Sequence, residues 1–485
     1  MTIRKQGILL FCILMFCYTY IHQGLGANQN SRLDFLHSFF IFRTFQIDAY
    51  QENTIDKSVK GDHYYSDKAP GIAFLSMPAF AFSVLVVKVC HIKVDSPDGW
   101  LITSWVTTAG TVGLITALGG VAFFVFLCHL VGNRVAFITS LVVFLGSAPF
   151  PYATMLFSHA AVAGLICIAL WAISDRAFFL RVAPNIEAAM IPSGSSGGTI
   201  KRHVLAGLCC GFAISSEYTA ATAAGGIIAL SLLTGFKRGM LVAIAAIPPL
   251  LLIPINNWAC FGSPFAFGYH HLAAAQFQSM NQGLFGITFP PKPEAAYLIL
   301  FSPERGLFYW TPFFLMTFFG LKPFCKAAPK LVWVSYFVVI LHIIFISGYY
   351  MPSGGAALGP RHLASMLPFL SIFAAFGLLK RGGLGISLGY CSILLTGLAT
   401  LIDGMTPEGI PNPLVNYYLP RLLNVRFVKC IGSQLGIFPT FDAALVLLVM
   451  LGAFVWASLY NQSKNTKILR SASQLANETS GASKN

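Results

Sequence analysis

The chain has 485 residues, of which 56% are hydrophobic and 10% charged, with a formal net charge of +14 at pH 7. A soluble domain is roughly 25% charged, so this composition excludes a soluble globular protein and predicts an integral membrane protein. Basic residues in cytoplasmic loops and beside anionic lipid headgroups explain the positive charge. No basic run is long enough to follow a phosphate backbone, so we expect membrane lipids as partners and no nucleic acid.

The N-terminal segment has a basic start, Arg4 and Lys5, followed by an apolar run. It fits either a cleaved signal peptide or a first transmembrane anchor at about residues 6–22. Both alternatives place the residues that follow outside the cytoplasm. The uncleaved anchor is the preferred interpretation, and the two basic residues then hold the N-terminus in the cytoplasm.

A long first extracytoplasmic loop is predicted at residues 23–97, and it contains a second apolar run at 69–90. If this run crossed the membrane, the basic loops after it would all face outward. If it lies along the outer surface as an amphipathic interfacial helix, those loops face the cytoplasm. The preference of Lys and Arg for cytoplasmic loops favours the interfacial helix.

The remaining apolar runs are interpreted as further spans; a crossing takes about 20 residues, and a hairpin at 203–235 is short for two of them. Together with the first anchor they predict an all-α integral membrane fold with about twelve transmembrane helices (11–13). The further spans are expected at about 99–131, 134–149, 157–174, 203–216, 219–235, 239–257, 306–321, 331–349, 362–380, 384–402 and 438–460.

One polytopic transmembrane domain is therefore expected over residues 1–461. It has a cytoplasmic loop at 175–202, whose segment 192–198 reads as a flexible linker. It also has a second long extracytoplasmic loop at 258–305. Residues 462–485 are polar and are expected to form a disordered cytoplasmic tail.

Two carboxylates of the first loop are candidates for general-base chemistry. Asp34 follows the first span in a segment that can form an amphipathic interfacial helix. It belongs either to a polar face on water or to a cavity in which it acts as a general base. Asp48, farther along the same loop, is a rival for that role.

The stretch before the second apolar run, "YYSDKAPG", contains a lysine that helix chemistry does not explain. Asp67 lies near an N-cap position and Pro70 suits a first helical turn. A cation is disfavoured at a helix start, so Lys68 requires an anionic partner, and a lipid phosphate is the expected one. Tyr65 and its neighbours are placed at the rim of the same pocket.

Two arginines stand beside Gly and Pro at span entrances on the predicted outer face, Arg305 in "SPERG" and Arg361 in "GPRH". Each fits either headgroup anchoring or bidentate phosphate binding. The glycines before Arg361 would allow a close backbone approach.

Three further outer residues are candidates for substrate binding: His159 at a span start, Glu217 in a tight turn, and His270 in the second long loop. His159 also fits a satisfied polar residue at a helix end. His270 and His271, with the loop aspartates, could ligate a metal, but no ligand spacing is diagnostic. A divalent metal is thus an open possibility and not a requirement.

Several of these segments together resemble the GT-C superfamily of polyprenyl-phosphate-dependent glycosyltransferases. The segments are "YYSDKAPG", "FGSPFAFGYHH", "LFSPERGLFYWTPF" and "GPRHLASMLPFL". The most similar branch contains the protein O-mannosyltransferases and the lipid A aminoarabinose transferases. The resemblance implies a bacterial inner-membrane enzyme that moves a sugar from a polyprenyl-phosphate carrier to a lipid, glycan or protein acceptor outside the cytoplasm, with inversion.

The resemblance also implies roles for individual residues. Asp34 matches the family's outer-loop carboxylate, and Lys68 matches a lysine that contacts the lipid-linked phosphate. Arg361, or with less support Arg305, would stabilise the phosphate leaving group. The first proline of the family's "K-P-P" element is Ala69 here, and the early carboxylate lacks the acidic partner seen in some branches, which keeps Asp48 open.

Two other classes of function fit part of the pattern. A transporter or flippase for a lipid-linked or anionic solute would use the same basic residues but needs ionisable groups near mid-membrane. The predicted spans are almost free of such groups, with His342 and Glu217 as the nearest exceptions. A non-catalytic scaffolding protein would need no pocket. The pattern favours the transferase.

Overall fold

The protein is described here by a computed structural model that covers residues 1–24, 26–186 and 199–460, with the side chain of residue 460 left out. The predicted linker at 192–198 and the predicted tail at 462–485 lie outside the described residues.

The described chain is almost entirely helical, with one small hairpin in the first loop. The N-terminal part contains α1 (Ile3–Tyr20), α2 (Ala27–His37), β1 (Lys57–Lys60), β2 (His63–Ser66), α3 (Gly71–Val89), α4 (Pro97–Thr108), α5 (Leu114–Val131), α6 (Asn133–Leu145), α7 (Pro149–Ala153), α8 (Ser158–Ile173) and α9 (Arg176–Val182).

The second part continues the helical architecture and adds short helices in the connecting segments. It contains α10 (Thr199–Ser216), α11 (Ala221–Thr234), α12 (Phe236–Leu250), α13 (Leu252–Phe261), α14 (Pro293–Leu300), α15 (Leu307–Trp310), α16 (Met316–Ala327), α17 (Pro329–Ser347), α18 (Leu367–Lys380), α19 (Gly382–Ile402), α20 (Leu419–Leu423), α21 (Ile431–Gln434) and α22 (Pro439–Tyr460).

The predicted class, a helical membrane protein with many spans, is confirmed. Within the described residues, eight helices are long and apolar enough to cross a bilayer, or nine if the bent pair α8–α9 counts as one span. Twelve spans were predicted. Seven of the twelve are among these eight helices, and the eighth is α3, which the sequence predicts on the membrane surface. The other five are not among the eight: α6 and the 218–234 helix are short, α10 is less apolar, α8 belongs to the bent pair, and 306–321 is broken into α15 and the start of α16.

The helix α4 continues through a π-helical turn into α5, so Pro97–Val131 forms one element of 35 residues. At 1.5 Å per residue it is about 52 Å long, which exceeds the roughly 30 Å hydrocarbon core. Trp105 donates a hydrogen bond from its Nε1 atom to the Thr19 carbonyl at 2.8 Å, near the end of α1. The first two turns of α4 therefore extend beyond α1 and reach the first loop.

The helix α3 is the apolar run that the sequence predicts to lie on the membrane surface. By length and composition it also qualifies as a span. At its start Gly71 lies against Ser216, and just after its end Asp95 accepts a 2.8 Å hydrogen bond from the Tyr50 hydroxyl. Because both ends meet segments predicted to lie outside the cytoplasm, these contacts favour the surface orientation.

The hairpin β1–β2 was not predicted, although its turn was visible in the sequence. The register pairs Lys57 with Ser66 and Lys60 with His63, leaving a two-residue Gly61–Asp62 turn. Gly61 has a φ of +60°, which a two-residue hairpin turn requires and which glycine adopts without strain. The hairpin brings its two flanking residues, Asp56 and Asp67, side by side.

Close helix contacts in the core depend on glycine. A Cβ atom added to Gly119 in α5 would lie 2.2 Å from the Gly164 Cα atom in α8, where only backbone could give way. We therefore expect Gly119→Ala to destabilise the protein by about 1–3 kcal/mol through overpacking. The thermal unfolding temperature of the purified protein in detergent should fall by a few degrees.

Gly225→Ala is the matched control, because Gly225 lies inside α11 and a Cβ atom there meets nothing within 4 Å. Alanine is the better helix former, so this variant should unfold at the wild-type temperature or slightly above it. Equal unfolding temperatures for the two variants would contradict the packing described for α5 and α8.

Candidate functional site

A cavity of about 900 Å³ lies among the segments that the sequence predicts outside the cytoplasm. Its walls come from the first loop, the start of α8, the turn between α10 and α11, the segment before α18 and the segment after α19. Five of the predicted site residues line it: Asp67, Lys68, His159, Glu217 and Arg361. Residues separated by up to about 300 positions in sequence thus share one pocket.

Lys68 is held between two carboxylates. Its Nζ atom lies 3.0 Å from Asp56 Oδ2 and 3.1 Å from Asp67 Oδ1. Burial lowers the pKa of Lys68, but the two carboxylates raise it by more, so the net shift is upward and the ammonium persists. The pKa of Asp67 is raised, chiefly by burial, and the attraction of Lys68 only partly offsets this.

Two arginines reach the cavity without a carboxylate partner. Neither Arg32 nor Arg361 forms an ion pair with any residue in the described ranges, and the Nε atom of each is buried without a hydrogen-bond partner. Arg361 packs its guanidinium over the Phe157 ring at 5.2 Å. Arg32 donates to the Asn28 carbonyl at 2.8 Å, and burial lowers its pKa to about 10. Each guanidinium therefore retains donors for an anion.

Glu217 stands beside two histidines at the cavity wall. Its Oε2 atom lies 3.4 Å from His159 Nδ1 and accepts a 2.9 Å hydrogen bond from the Ser158 hydroxyl. The His159 and His362 rings meet edge to face with centroids 5.3 Å apart. Burial raises the pKa of Glu217, although Ser158 and the positive charges of Arg32, Arg361 and Lys68 oppose that shift.

Arg305 is placed behind the cavity wall and does not line it. It is fully buried and donates to backbone carbonyls of two segments, at Ser353, Gly355, Thr406 and Pro407, over 2.9–3.2 Å. These carbonyls engage the guanidinium N–H donors that a phosphate would have to accept from. The prediction that Arg305 binds phosphate is corrected: it fixes the two segments that carry part of the cavity wall.

The two carboxylates predicted as general bases also lie outside the cavity lining. Asp34 is fully buried, accepts a 3.1 Å hydrogen bond from Asn53 and has an unpartnered Oδ2 atom. Burial raises its pKa to about 8. Asp48 is partly exposed and pairs with His63 at 2.7 Å. Neither residue meets Lys68 in the way that the predicted catalytic role requires.

Tyr65 and His270 are likewise separated from the cavity. Tyr65 is buried in the hairpin and packs edge to face on Phe261, with centroids 5.5 Å apart. His270 lines a separate open groove together with His271. A metal site made of these two histidines and the loop aspartates is not formed among the described residues.

Five charged or histidine residues of the cavity lining were missed by the sequence reasoning: Arg32, Asp56, His362, Asp403 and Glu408. Residues two apart on an α-helix point about 200° apart, so Arg32 and Asp34 cannot share one face. That rule shows that the two are alternatives, but it does not select which one faces the cavity. His362 follows Arg361 directly in "GPRH", and Asp56 becomes visible once the Gly61–Asp62 hairpin turn is recognised.

No protein-family model and no curated protein matches the chain. Among solved structures it is similar to ArnT from Cupriavidus metallidurans in the apo state, with TM-score 0.46 and 14% identity over 95% of this chain and 78% of that one. For ArnT bound to undecaprenyl phosphate the TM-score is 0.49, at 14% identity over 94% and 76%.

The archaeal oligosaccharyltransferase AglB from Archaeoglobus fulgidus, in complex with an inhibitory peptide and a dolichol-phosphate, is also similar. The TM-score is 0.42 at 12% identity, over 94% of this chain and 56% of that one. At TM-scores below 0.5 these similarities assign no residue of this chain a role.

Asp34 provides a pH-dependent contribution to stability that can be measured. With a folded-state pKa of about 8 against 3.8 for the ordinary side chain, the folded protein holds a proton that the unfolded chain releases between these values. Stability is therefore expected to fall as pH rises from about 4 to 8, with an upper limit of about 1.4 kcal/mol per pH unit.

Asp34→Asn resembles the protonated carboxyl and should flatten this slope in thermal unfolding of the detergent-purified protein at pH 5–8. Asp62→Asn is the matched control, because Asp62 is exposed in the hairpin turn, and it should leave the slope unchanged. A slope that is the same in wild type and Asp34→Asn would show that Asp34 does not carry this proton.

Proposed function

We propose that the protein is a membrane glycosyltransferase that moves a sugar from a polyprenyl-phosphate carrier to an acceptor outside the cytoplasm. The main support for this proposal is that Arg32 and Arg361 both line one cavity and form no ion pair with a carboxylate in the described chain. Leaving two guanidinium groups unpaired in a partly dry site is unfavourable unless an anion joins them. A phosphate matches the guanidinium fork.

The proposed donor follows from the location of the cavity. The cavity is lined by segments predicted outside the cytoplasm, where nucleotide sugars are absent. A lipid-linked sugar can be delivered there in the outer leaflet, with its phosphate at the height of the arginines. The proposed location is the bacterial inner membrane, with the N-terminus in the cytoplasm.

The proposed reaction is a single displacement. An acceptor hydroxyl or amine attacks the anomeric carbon, a new glycosidic bond forms, and the bond from that carbon to the phosphate oxygen breaks, which inverts the configuration. The electron pair leaves with the lipid phosphate. Arg361 and Arg32 stabilise the charge that grows on this leaving group, which is where electrostatic stabilisation lowers a barrier most.

Asp56 is the proposed acceptor-facing carboxylate. Its Oδ2 atom is fixed by Lys68 at 3.0 Å, and its side chain is 11% exposed against 1% for Asp67. The carboxylate therefore keeps an oxygen that an acceptor can reach, and it can orient the acceptor and take its proton. This role replaces the one that the sequence resemblance implied for Asp34.

The distribution of charge weighs against the transporter alternative. In the eight described helices that are long and apolar enough to cross a bilayer, every Asp, Glu, Lys and Arg lies within four residues of a helix end. Transport of an anionic solute usually requires ionisable groups near the middle of the membrane. Three basic side chains, Arg32, Lys68 and Arg361, instead line the cavity among segments predicted outside the cytoplasm, as a surface reaction requires.

Binding of a soluble phosphate analogue tests this proposal. Purified protein in detergent should bind farnesyl phosphate more tightly than farnesol, because only the phosphate engages the arginines. Arg361→Gln and Arg32→Gln should each weaken farnesyl phosphate binding about 10–100-fold, the loss of one charge-assisted contact worth about 1.5–3 kcal/mol. Binding can be followed by native mass spectrometry.

Arg426→Gln serves as the matched control, since Arg426 is exposed in the segment after α19 and does not line the cavity. It should bind the phosphate as the wild type does. Equal affinity for farnesyl phosphate and farnesol, or unchanged affinity in both cavity variants, would rule out the proposed phosphate site.

In a deletion strain, loss of a lipid-linked glycan should be rescued by wild type and by Asp34→Asn, and not by Asp56→Asn.

A further inference from the structure

We propose that His159, Glu217 and His362 form a binding site for a divalent transition-metal ion, with zinc as the preferred ion. Each of these residues offers one ligand atom, and the three atoms lie within 4.8 Å of one another. Within the described part of the chain no other group of three His, Cys, Asp or Glu side chains comes together in this way. Metal binding does not rest on the proposed transfer reaction.

The three ligand atoms must move slightly closer together to bind one ion. His159 Nδ1 and Glu217 Oε2 are already 3.4 Å apart, close to the ligand–ligand separation around a tetrahedral zinc with bonds of about 2.0–2.2 Å. The third ligand atom must approach by about 1 Å or somewhat more, which rotation of an imidazole ring supplies. The cavity beside the three side chains leaves room for a water or a substrate oxygen as fourth ligand.

His362 also carries a buried ring nitrogen, Nε2, without a hydrogen-bond partner. A buried polar atom without a partner costs about 1–3 kcal/mol. Coordination to a metal ion removes that cost.

Hydrogen bonds from neighbouring residues hold the ligands in place, as is common around metal sites. Ser158 donates to Glu217 Oε2 at 2.9 Å. His342 donates from Nε2 to the His362 carbonyl at 2.8 Å, since a carbonyl oxygen only accepts. Its Nδ1 atom is then free to accept from the Thr222 hydroxyl at 2.8 Å. These bonds fix both the carboxylate and the backbone of His362.

The ligand set selects the class of ion. Two imidazole nitrogens and one carboxylate oxygen suit zinc and other late first-row metals. Magnesium and calcium prefer oxygen ligands only. Two histidines, one glutamate and an open position are also the arrangement of catalytic zinc sites, whereas structural zinc sites are closed by four protein ligands.

The ion would change the charge of the site. Arg32, Arg361 and Lys68 act electrostatically on Glu217, and they are balanced by Glu217 itself and by the two carboxylates paired with Lys68. A divalent ion would add two positive charges beside the arginines in this part of the cavity. The phosphate and the metal should therefore favour each other's binding, since such coupling is reciprocal.

Zinc binding by the full-length protein tests the site directly. Detergent-purified protein is stripped with a chelator, reloaded with zinc and desalted, and the metal is measured by mass spectrometry. The wild type should retain about one zinc per chain. His159→Gln and His362→Gln should each bind at least tenfold more weakly in competition with a chelating dye. Bound cobalt should show the visible absorption of a four- or five-coordinate ion in the wild type alone.

His270→Gln is the matched control, because His270 lines a different groove and should leave zinc binding unchanged. The unfolding temperatures of the metal-free variants identify any that fail to fold, and added zinc should raise the unfolding temperature of the wild type but not of the two ligand variants. A wild type that retains no more zinc than the His159→Gln/His362→Gln double variant would overturn the proposal. Arg361→Gln should lose phosphate binding and keep its zinc, which separates failure of the two proposals.

Discussion

Lys68 joins Asp56 and Asp67 in a buried cluster, and the polar side of the molecule is arranged around it. The hairpin makes the cluster possible, because pairing Lys57 with Ser66 brings the two aspartates side by side. Two adjacent carboxylates repel unless a cation lies between them. Lys68 supplies this cation and fixes the end of the first loop at the start of α3. The part of the cavity lining formed by Asp56, Asp67 and Lys68 therefore depends on this ion-pair cluster and on the two-residue hairpin turn.

Arg305 and Arg361 show how partner atoms decide the role of a side chain. Both arginines lie beside Gly and Pro in the sequence, and residue type alone does not distinguish them. Arg305 is saturated by backbone carbonyls from two segments, whereas Arg361 has a buried Nε atom without a partner and rests on an aromatic ring. A guanidinium with all its donors engaged stabilises the fold, and one with free donors can bind a ligand.

The class of fold could be predicted from the sequence, because hydropathy carries that signal, whereas the side of the membrane on which the cavity lies stays a prediction from the basic loops. The sequence placed Lys68, Glu217 and Arg361 among the candidates, and all three line the cavity. It did not identify the helix face that α2 turns inward. Arg32 and Asp34 are both plausible there, and packing of α2 against the hairpin and α3 decides between them. That information is tertiary and is absent from local periodicity.

Unpaired arginines have a cost that helps to explain the site. Burial lowers the pKa of Arg32 to about 10; the carboxylates of Glu217, Asp67 and Asp56 oppose this shift, and the repulsion of Arg361 adds a smaller part to it. Replacing either side chain with an apolar one would be expected to stabilise the ligand-free protein, as in other sites that trade stability for function. An anion bound at the two guanidinium groups would offset this repulsion. In the proposed function the same charge is the source of affinity for a phosphate, and this pair, rather than Lys68 with its two carboxylate partners, is the proposed binding element.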